Sequence, residues 1–390
     1  MARRMNYILS PLLLSLFISV NGDLSVTDYG AIGDGKTDAS QSFLKAWTAA
    51  CHSSEPTTIY VPRKRYQLRP VIFQGPCNNT SITIRVDGIL VAPNYQEMGI
   101  VDNWIMFSGV QGVSINGNGG YLDGQGLGLW ACKAAGHVCP AGTTSLAFFS
   151  SKDVSVSGIT SINSELYHIV ILTCNNVTLD GVRIYAPDDS PNTDGIHVQD
   201  STNVRILSTG IKTGDDCISI GPGTQNLWIQ RVACGPGHGI SIGSLGKELK
   251  EDGVQNVTVK TVVFNGTLNG LRIKSWARPS YGFVKGVVFE HATMINVANP
   301  IIIDQNYCPN NNDGCPGQES GVKISQVTYK NIKGTSTSQV AMKFDCSSSS
   351  PCQGIRLQDI KLTYHDQLAE SFCQNIKGST SGLVVPPSCF

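Results

Sequence analysis

Short stretches in which apolar and polar residues alternate recur along most of the chain, whereas long helical patterns are nearly absent. From about residue 80 onward each stretch ends in Gly, Asn, Asp or Pro, which is typical of short strands joined by tight turns. One helix is predicted near residues 39–51, with Thr37 or Asp38 close to its N-terminal cap. The preceding "GDGKTD" lacks phosphate-loop spacing and is interpreted as a turn. The apolar residues at helical spacing are Phe43, Leu44, Ala46, Trp47 and Ala50.

Two series of strand-like segments repeat in alternation. The second series advances by 22 to 31 residues per step, and the first series keeps pace with it. Two interleaved series that share one period indicate a coil repeat. The first series is led by Val154, Val177, Val204, Leu227 and Val257, and the second by Ile169, Ile196, Ile218, Ile240, Leu271 and Ile301.

This repeat predicts an all-β fold, a single-stranded right-handed parallel β-helix with a short N-terminal capping helix. Helical crossovers are missing, which argues against a doubly wound sheet or barrel. A β-propeller needs roughly 40–50 residues per blade, more than the period found here. In a solenoid the open ends must be covered, and we expect the helix to cover one end and the Cys373/Cys389 tail the other.

The first 22 residues have the form of a secretory signal peptide. Arg3 and Arg4 precede an apolar run from Ile8 to Val20, and small residues follow near Gly22. The run is too short for a comfortable membrane span, although a membrane anchor is the alternative. We therefore expect residues 1–22 to be removed and residues 23–390 to form one catalytic domain that is secreted, extracellular and free of the membrane.

The cysteine and charge content agree with this location. The 13 cysteines suit an oxidising compartment, and pairing of sequence neighbours would leave Cys174 over. Lys+Arg and Asp+Glu are both 29, so the total charge gives no indication of a nucleic-acid partner. Glycosylation sequons begin at Asn78, Asn79, Asn176, Asn256 and Asn265.

Candidate catalytic residues emerge when positions are counted from the lead residues of the second series. Asp194, Asp216 and His238 each lie two positions before a lead isoleucine, in three consecutive coils. Stacking of the coils predicts that they form one ridge, with Asp215 beside it. In the next coil Arg272 and Lys274 alternate with Leu271 and Ile273. If the two apolar residues point inward, both cations should face outward near the acids.

A row of carboxylates suits acid–base cleavage of a glycosidic bond, which needs one protonated acid and one ionised base. Crowding should raise the pKa of one acid, because close anions cannot all ionise easily. Arg272 and Lys274 form a local cationic patch fit for a carboxylate-bearing substrate. An acidic sugar polymer satisfies both requirements.

These segments together resemble glycoside hydrolase family 28, the polygalacturonases, and in particular its secreted plant members. The resemblance rests on "NTD" at 192–194, "GDD" at 214–216, "GHG" at 237–239 and "RIK" at 272–274, and it extends over the whole chain after residue 22. It implies hydrolysis of α-1,4-linked galacturonan with inversion, in the plant cell wall. No metal or organic cofactor is implied, and we expect a monomer with a pectin polysaccharide as its partner.

The resemblance also implies a role for each site residue. Asp215 matches the general acid, Asp194 and Asp216 the pair that activates water, and His238 a residue that tunes the acid or contacts substrate. Arg272 and Lys274 match the carboxylate binders. Tyr307 fits a cleft tyrosine or, equally, a packed aromatic beside Cys308, and Asn192 is expected to shape the turn that presents Asp194.

Two other functions stay open from the sequence. A pectin or pectate lyase on a similar β-helix would abstract a proton, usually with calcium and a basic residue, yet no arginine base stands at the centre of this cluster. A non-catalytic wall-binding protein would be favoured by the loss of an acid, but Asp194, Asp215 and Asp216 are all present.

Overall fold

The computed structural model describes residues 23–309, 315, 317–365 and 367–390. The expected signal peptide, residues 1–22, lies outside these described residues. The helices are α1 Ser40–His52, α2 Tyr95–Met98 and α3 Leu127–Ala134. The strands are β1 Leu24–Ser25, β2 Asp34–Asp38, β3 Thr57–Val61, β4 Arg65–Gln67, β5 Val71–Gln74, β6 Ile82–Val86, β7 Ile89–Val91, β8 Asn103–Ser108, β9 Val113–Gly117, β10 Tyr121–Asp123, β11 Thr144–Phe149, β12 Lys152–Ser157, β13 Thr160–Ile162, β14 Ile169–Leu172, β15 Asn175–Asp180, β16 Arg183–Tyr185, β17 Ile196–Gln199, β18 Thr202–Leu207, β19 Gly210–Lys212, β20 Ile218–Ile220, β21 Gln225–Cys234, β22 Ile240–Leu245, β23 Val254–Asn265, β24 Asn269–Trp276, β25 Phe283–Val297, β26 Asn299–Tyr307, β27 Lys323–Ser336, β28 Val340–Asp345, β29 Cys352–Tyr364, β30 Gln367–Leu368, β31 Glu370–Gln374 and β32 Ile376–Val385.

The strands form two long sheets that wind around a common core. Within the described residues one sheet has 21 strands and the other 11, and the second, here called the site sheet, runs β5-β8-β11-β14-β17-β20-β22-β24-β26-β28-β31. Each strand of the site sheet pairs in parallel with the equivalent strand of the next coil. The predicted parallel β-helix is confirmed.

Both predicted strand series are in register. Ile169 pairs with Ile196, and the ladder continues from there to Ile301 through every predicted lead residue. The lead residues of the first series pair in the same way on the other sheet. All six leads of the second series are fully buried, and complete burial of one such side chain contributes roughly 2 kcal/mol. This inward column fixes which residues face outward.

The solenoid starts earlier in the chain than the sequence pattern indicated. Parallel pairing begins with β1 and β3, well before residue 80, and "GDGKTD" contains strand β2 rather than a turn alone. The pattern was obscured because β2 is exposed and polar, so it shows no apolar alternation. Extended backbone is stabilised there by pairing with β4.

The predicted helix is present as α1 and covers the N-terminal end. Its cap residue is Ala39, although the Asp38 carboxylate accepts a hydrogen bond from the Ser40 N–H. Trp47 packs on Phe73 with ring centroids 5.3 Å apart. At the other end the Phe390 ring packs on Phe344 at 5.8 Å, so each end has an apolar cover.

Disulfide bonds join the cysteines as their spacing suggested. Cys174 is free and buried, whereas the bonded pairs are Cys51–Cys77, Cys132–Cys139, Cys217–Cys234, Cys308–Cys315, Cys346–Cys352 and Cys373–Cys389. Among the residues that the structure describes, no helix is long and apolar enough to cross a bilayer.

Candidate active site

Three predicted site residues occupy the same place on adjacent coils. Asp194 precedes β17, Asp216 precedes β20 and His238 precedes β22, and these strands pair in register. The Gly195 N–H donates to the Asp216 carbonyl at 2.9 Å, which fixes the first two coils against each other. The ridge predicted from the sequence therefore exists.

The backbone around His238 requires glycine. Gly239 has φ +90°, and a Cβ on it would lie 2.2 Å from the carbonyl oxygen of Asn269 in the next coil. The Asn269 amide donates to the His238 carbonyl at 3.1 Å. These contacts fix the backbone that carries the His238 imidazole, and a larger residue at position 239 would force the coils apart.

Asp216 is held by two cations. The Arg272 guanidinium donates to its Oδ1 at 2.7 Å and the Lys274 ammonium to its Oδ2 at 2.8 Å, while the Ser241 hydroxyl also donates to Oδ1 at 2.7 Å. Asp216 as a whole residue is 1% exposed. Burial would raise the pKa of Asp216, but Arg272 and Lys274 outweigh burial and lower it from 3.8 to about 2. Asp216 is therefore ionised at any pH of interest.

The raised pKa in the cluster belongs to Asp194. Burial raises the pKa of this carboxyl well above its ordinary value, and the negative charges of Asp215 and Asp216 raise it further. Lys274 opposes the shift only in part, since its ammonium is bound to Asp216. The acid whose pKa is raised by crowding, as expected from the sequence, is therefore Asp194.

Asp215 is the more accessible carboxylate of the neighbouring pair. Its side chain is 19% exposed, against 2% for Asp216. Its Oδ1 lies 3.0 Å from His238 Nδ1, and its Oδ2 accepts a 3.3 Å hydrogen bond from the Asn192 amide. Asn192 has φ +56°, which agrees with a turn-forming residue, and it also contacts the acid directly.

Tyr307 lies beside the two cations. Its ring centroid is 5.1 Å from Lys274 Nζ, a cation–π distance, and 5.5 Å from the Trp276 ring. Tyr307 pairs with Trp276 across β24 and β26. It is both packed and next to the charged group, so the two interpretations of this tyrosine are compatible.

The cluster has a geometry that metal ligands also use. Asp215, Asp216 and His238 offer ligand atoms within 4.8 Å of one another. Two of the positions around Asp216, however, are filled by the Arg272 and Lys274 cations, which repel a metal ion. The ion pairs account for this grouping without a metal.

Tyr167 and His197 lie next to the acids but were not predicted as site residues. Tyr167 lies two positions before the lead residue Ile169, the same offset as Asp194, and this signal was available in the sequence. His197 lies on the outward face of β17, and its Nδ1 is 2.8 Å from the Ser219 hydroxyl. Ser241 was also missed, since a serine in a strand gives no signal of its contact with Asp216.

Buried and half-buried carboxylates lie next to two cations on this parallel β-helix, and paired carboxyls are the groups that acid–base cleavage of a glycosidic bond requires. Comparisons with known proteins give the family. The model of glycosyl hydrolases family 28 matches residues 51–385, and the chain belongs to this family of glycoside hydrolases.

Plant proteins are similar over nearly the whole length. A polygalacturonase of Prunus persica is 59% identical over 94% of this chain and 93% of its own length. An exopolygalacturonase of Platanus acerifolia is 44% identical over 93% of this chain and 96% of its own.

Solved structures share the right-handed parallel β-helix. An endo-xylogalacturonan hydrolase from Aspergillus tubingensis has a TM-score of 0.78 at 22% identity, covering 90% of this chain and 98% of that chain. An exopolygalacturonase from Thermotoga maritima has a TM-score of 0.75 at 20% identity, covering 92% and 90%. At these identities the likeness concerns the fold.

Proposed function

We propose that this chain is a polygalacturonase that hydrolyses the α-1,4-glycosidic bonds of galacturonan by inverting acid–base catalysis. The observation that carries the proposal is the outer strip in which Asp194, Asp215 and Asp216 lie beside Arg272 and Lys274. The names of the plant relatives support the substrate, because they are polygalacturonases at up to 59% identity.

Asp215 is the proposed general acid. Its side chain is the exposed member of the acid pair, so a glycosidic oxygen can reach it. His238 contacts one of its oxygens and Asn192 the other, so both side chains can influence where its proton is held. The charges of Asp215 and Asp216 raise the pKa of Asp194, and we propose that the proton this favours is passed to Asp215 when the substrate binds.

Asp216 and Asp194 are the proposed pair that activates the attacking water. Asp216 supplies the permanent negative charge, since its pKa is held at about 2. Asp194 lies one coil away and would accept a second hydrogen bond from the same water once it has released its proton. An ionised base beside a protonated acid is the condition that inverting hydrolysis requires.

Arg272 and Lys274 are proposed to bind the galacturonate carboxylate while they hold Asp216. Arg272 uses Nε on Ser241 and Nη2 on Asp216, and a guanidinium has five N–H donors, so donors remain for a substrate. Lys274 likewise has three N–H donors, one of which bonds Asp216. Tyr307 would flank the bound sugar next to Lys274.

Location and organisation complete the proposal. Residues 23–390 would act as one catalytic unit, monomeric and secreted to the cell wall, with a pectin chain as partner. The six disulfides support an oxidising compartment.

Digestion of polygalacturonate tests the reaction. We expect new reducing ends without the ultraviolet absorbance of unsaturated sugars; absorbance that rises with cleavage would identify a lyase instead. Asp215→Asn should lower turnover by at least ~10²-fold, as expected for loss of a general acid, and leave substrate affinity in place. Asp180→Asn, an exposed acid on the other sheet, is the control and should be unaffected. Near-normal turnover of Asp215→Asn would remove this residue from its role.

A further inference from the structure

Tyr167 occupies the rung directly before the acids. Ile169 pairs with Ile196, and the His168 N–H donates to the Asp194 carbonyl at 2.8 Å, so Tyr167 lies one coil from Asp194 at the equivalent position. The series along the ridge is therefore Tyr167, Asp194, Asp216 and His238. The first member is an aromatic residue with a half-buried side chain.

His197 fixes one face of the Tyr167 ring. The two rings are stacked, with centroids 5.3 Å apart and planes inclined by 23°. The imidazole is itself held at both nitrogens, since Nδ1 is 2.8 Å from the Ser219 hydroxyl and Nε2 is 3.3 Å from Gln199 Oε1. A ring so supported keeps a constant orientation, and Tyr167 remains partly exposed.

The same outward row connects this stack to the cations. His197 pairs with Ser219, Ser219 with Ser241 and Ser241 with Arg272, so one continuous polar row leads from the stacked rings to the guanidinium. With rungs ~4.8 Å apart, three steps place the backbones of His197 and Arg272 about 14 Å from each other, while the guanidinium reaches back to Ser241 and Asp216. Along the coils, the strands that follow Asp194 and Asp216 lie between the coil of Tyr167 and the strand that carries Arg272.

The Tyr167 hydroxyl is available as a donor. It makes no hydrogen bond to any group in the parts of the chain that the structure describes, whereas its backbone carbonyl accepts bonds from Ser145 and Ser164. Burial raises the pKa of Tyr167, and the charges of Asp194 and Asp215 raise it further, so the hydroxyl remains protonated. It can donate to a sugar hydroxyl or carboxylate oxygen that enters the row.

We propose that Tyr167, positioned by its stack on His197, is a sugar-binding platform on the side of the scissile bond opposite to Arg272 and Lys274. Its free ring face packs on a galacturonosyl ring and its hydroxyl donates to that ring's oxygens. The platform makes affinity depend on substrate length, because only a chain that extends past the acids reaches it. This inference rests on the proposed function.

The test uses a length series of oligogalacturonides with the complete enzyme. Tyr167→Ala should raise KM about tenfold for long oligomers and the polymer, the order expected for loss of an aromatic contact, while kcat changes less than about threefold. KM for the shortest oligomer that is cleaved should change less than about twofold. Tyr167→Phe should restore most of the affinity, because the ring and its stack are kept. Tyr121→Ala, a tyrosine 39% exposed on the other sheet, is the matched control.

His197→Ala separates positioning from simple packing. It should produce the same length-dependent rise in KM, and the double variant with Tyr167→Ala should be little worse than either single variant. If Tyr167→Ala does not fold, Tyr167→Leu carries the same comparison, since it keeps bulk without an aromatic face. An unchanged KM, or an equal loss on short and long substrates, would overturn the platform. Failure of the wild-type enzyme to hydrolyse polygalacturonate would instead refute the proposed function.

Discussion

Lys274→Met removes one of the two charges that keep Asp216 ionised, and its effect on stability can be worked from the structure. Methionine keeps most of the aliphatic stem next to Tyr307, so the change is chiefly one of charge. Asp216 then stays 1% exposed with Arg272 as its remaining cation. We expect a destabilised protein at neutral pH, because a buried carboxylate loses compensation.

The magnitude follows from the pKa of Asp216. Its fall from 3.8 to about 2 corresponds to about 2.5 kcal/mol of stabilisation of the ionised form, at ~1.36 kcal/mol per pKa unit. This net shift combines the lowering of the pKa by Arg272 and Lys274 with the opposing rise caused by burial. Loss of one cation should therefore lower the free energy of unfolding by about 1–3 kcal/mol at pH 7.

The pH dependence of the stability difference distinguishes a charge effect from a packing effect. A depressed carboxyl pKa stabilises the protein above 3.8, and that stability is lost as the pH falls toward about 2. The difference between wild type and Lys274→Met, measured by denaturant unfolding across pH 7 to 2.5, should shrink through this window. Lys343→Met is the control, since Lys343 pairs with Asp345 at 3.4 Å on the same sheet but is 39% exposed, and its loss should cost ~0–1 kcal/mol. A difference that stays constant with pH would show that packing, and not charge, explains the effect.

Three further predictions follow from the site and the surface. Lys274→Ala should weaken binding of galacturonan, measured by calorimetry on the Asp215→Asn background, far more than binding of a neutral glycan; equal losses would argue against carboxylate recognition. Activity should be greatest at mildly acidic pH. The proton to be passed to Asp215 is held by Asp194 only below the raised pKa of Asp194, whereas Asp216 is ionised above about 2. A pH–rate profile with an optimum well above neutrality would contradict this. Asn79 should carry no glycan although it begins a sequon, since its amide is 3% exposed and donates to Ala50, Glu55 and Thr57, whereas the exposed Asn265 should be an acceptor. Peptide mapping by mass spectrometry of the secreted protein checks the glycan prediction, and a sugar on Asn79 would disprove it.

The positions of the acids could be predicted because a solenoid converts spacing into location. Once Ile196, Ile218 and Ile240 are recognised as lead residues, anything at a fixed offset from them lies on one line, whatever the coil length. Asp194, Asp216 and His238 were found in this way. Tyr167 has the same offset from Ile169 but was not predicted, because a tyrosine at this position does not indicate acid–base chemistry.

The distribution of charge could not be predicted from the sequence. Arg272 and Lys274 were expected to face a substrate, and only side-chain geometry places both against Asp216, which is 56 and 58 residues away in the chain. As a consequence the low pKa belongs to Asp216 and the raised pKa to Asp194. Sequence neighbours Asp215 and Asp216 look alike, yet one contacts an imidazole and the other two cations.

The sequence by itself determined the coil repeat, the lead residues that point inward and the residues that lie on the ridge. Side-chain alternation and a repeated period depend only on local residue order. The tertiary structure decided the pKa shifts of Asp194 and Asp216 and the support of the Tyr167 ring by His197. These features depend on distances between atoms of different coils and on how completely water is excluded between them. Such distances are set only when the coils have stacked.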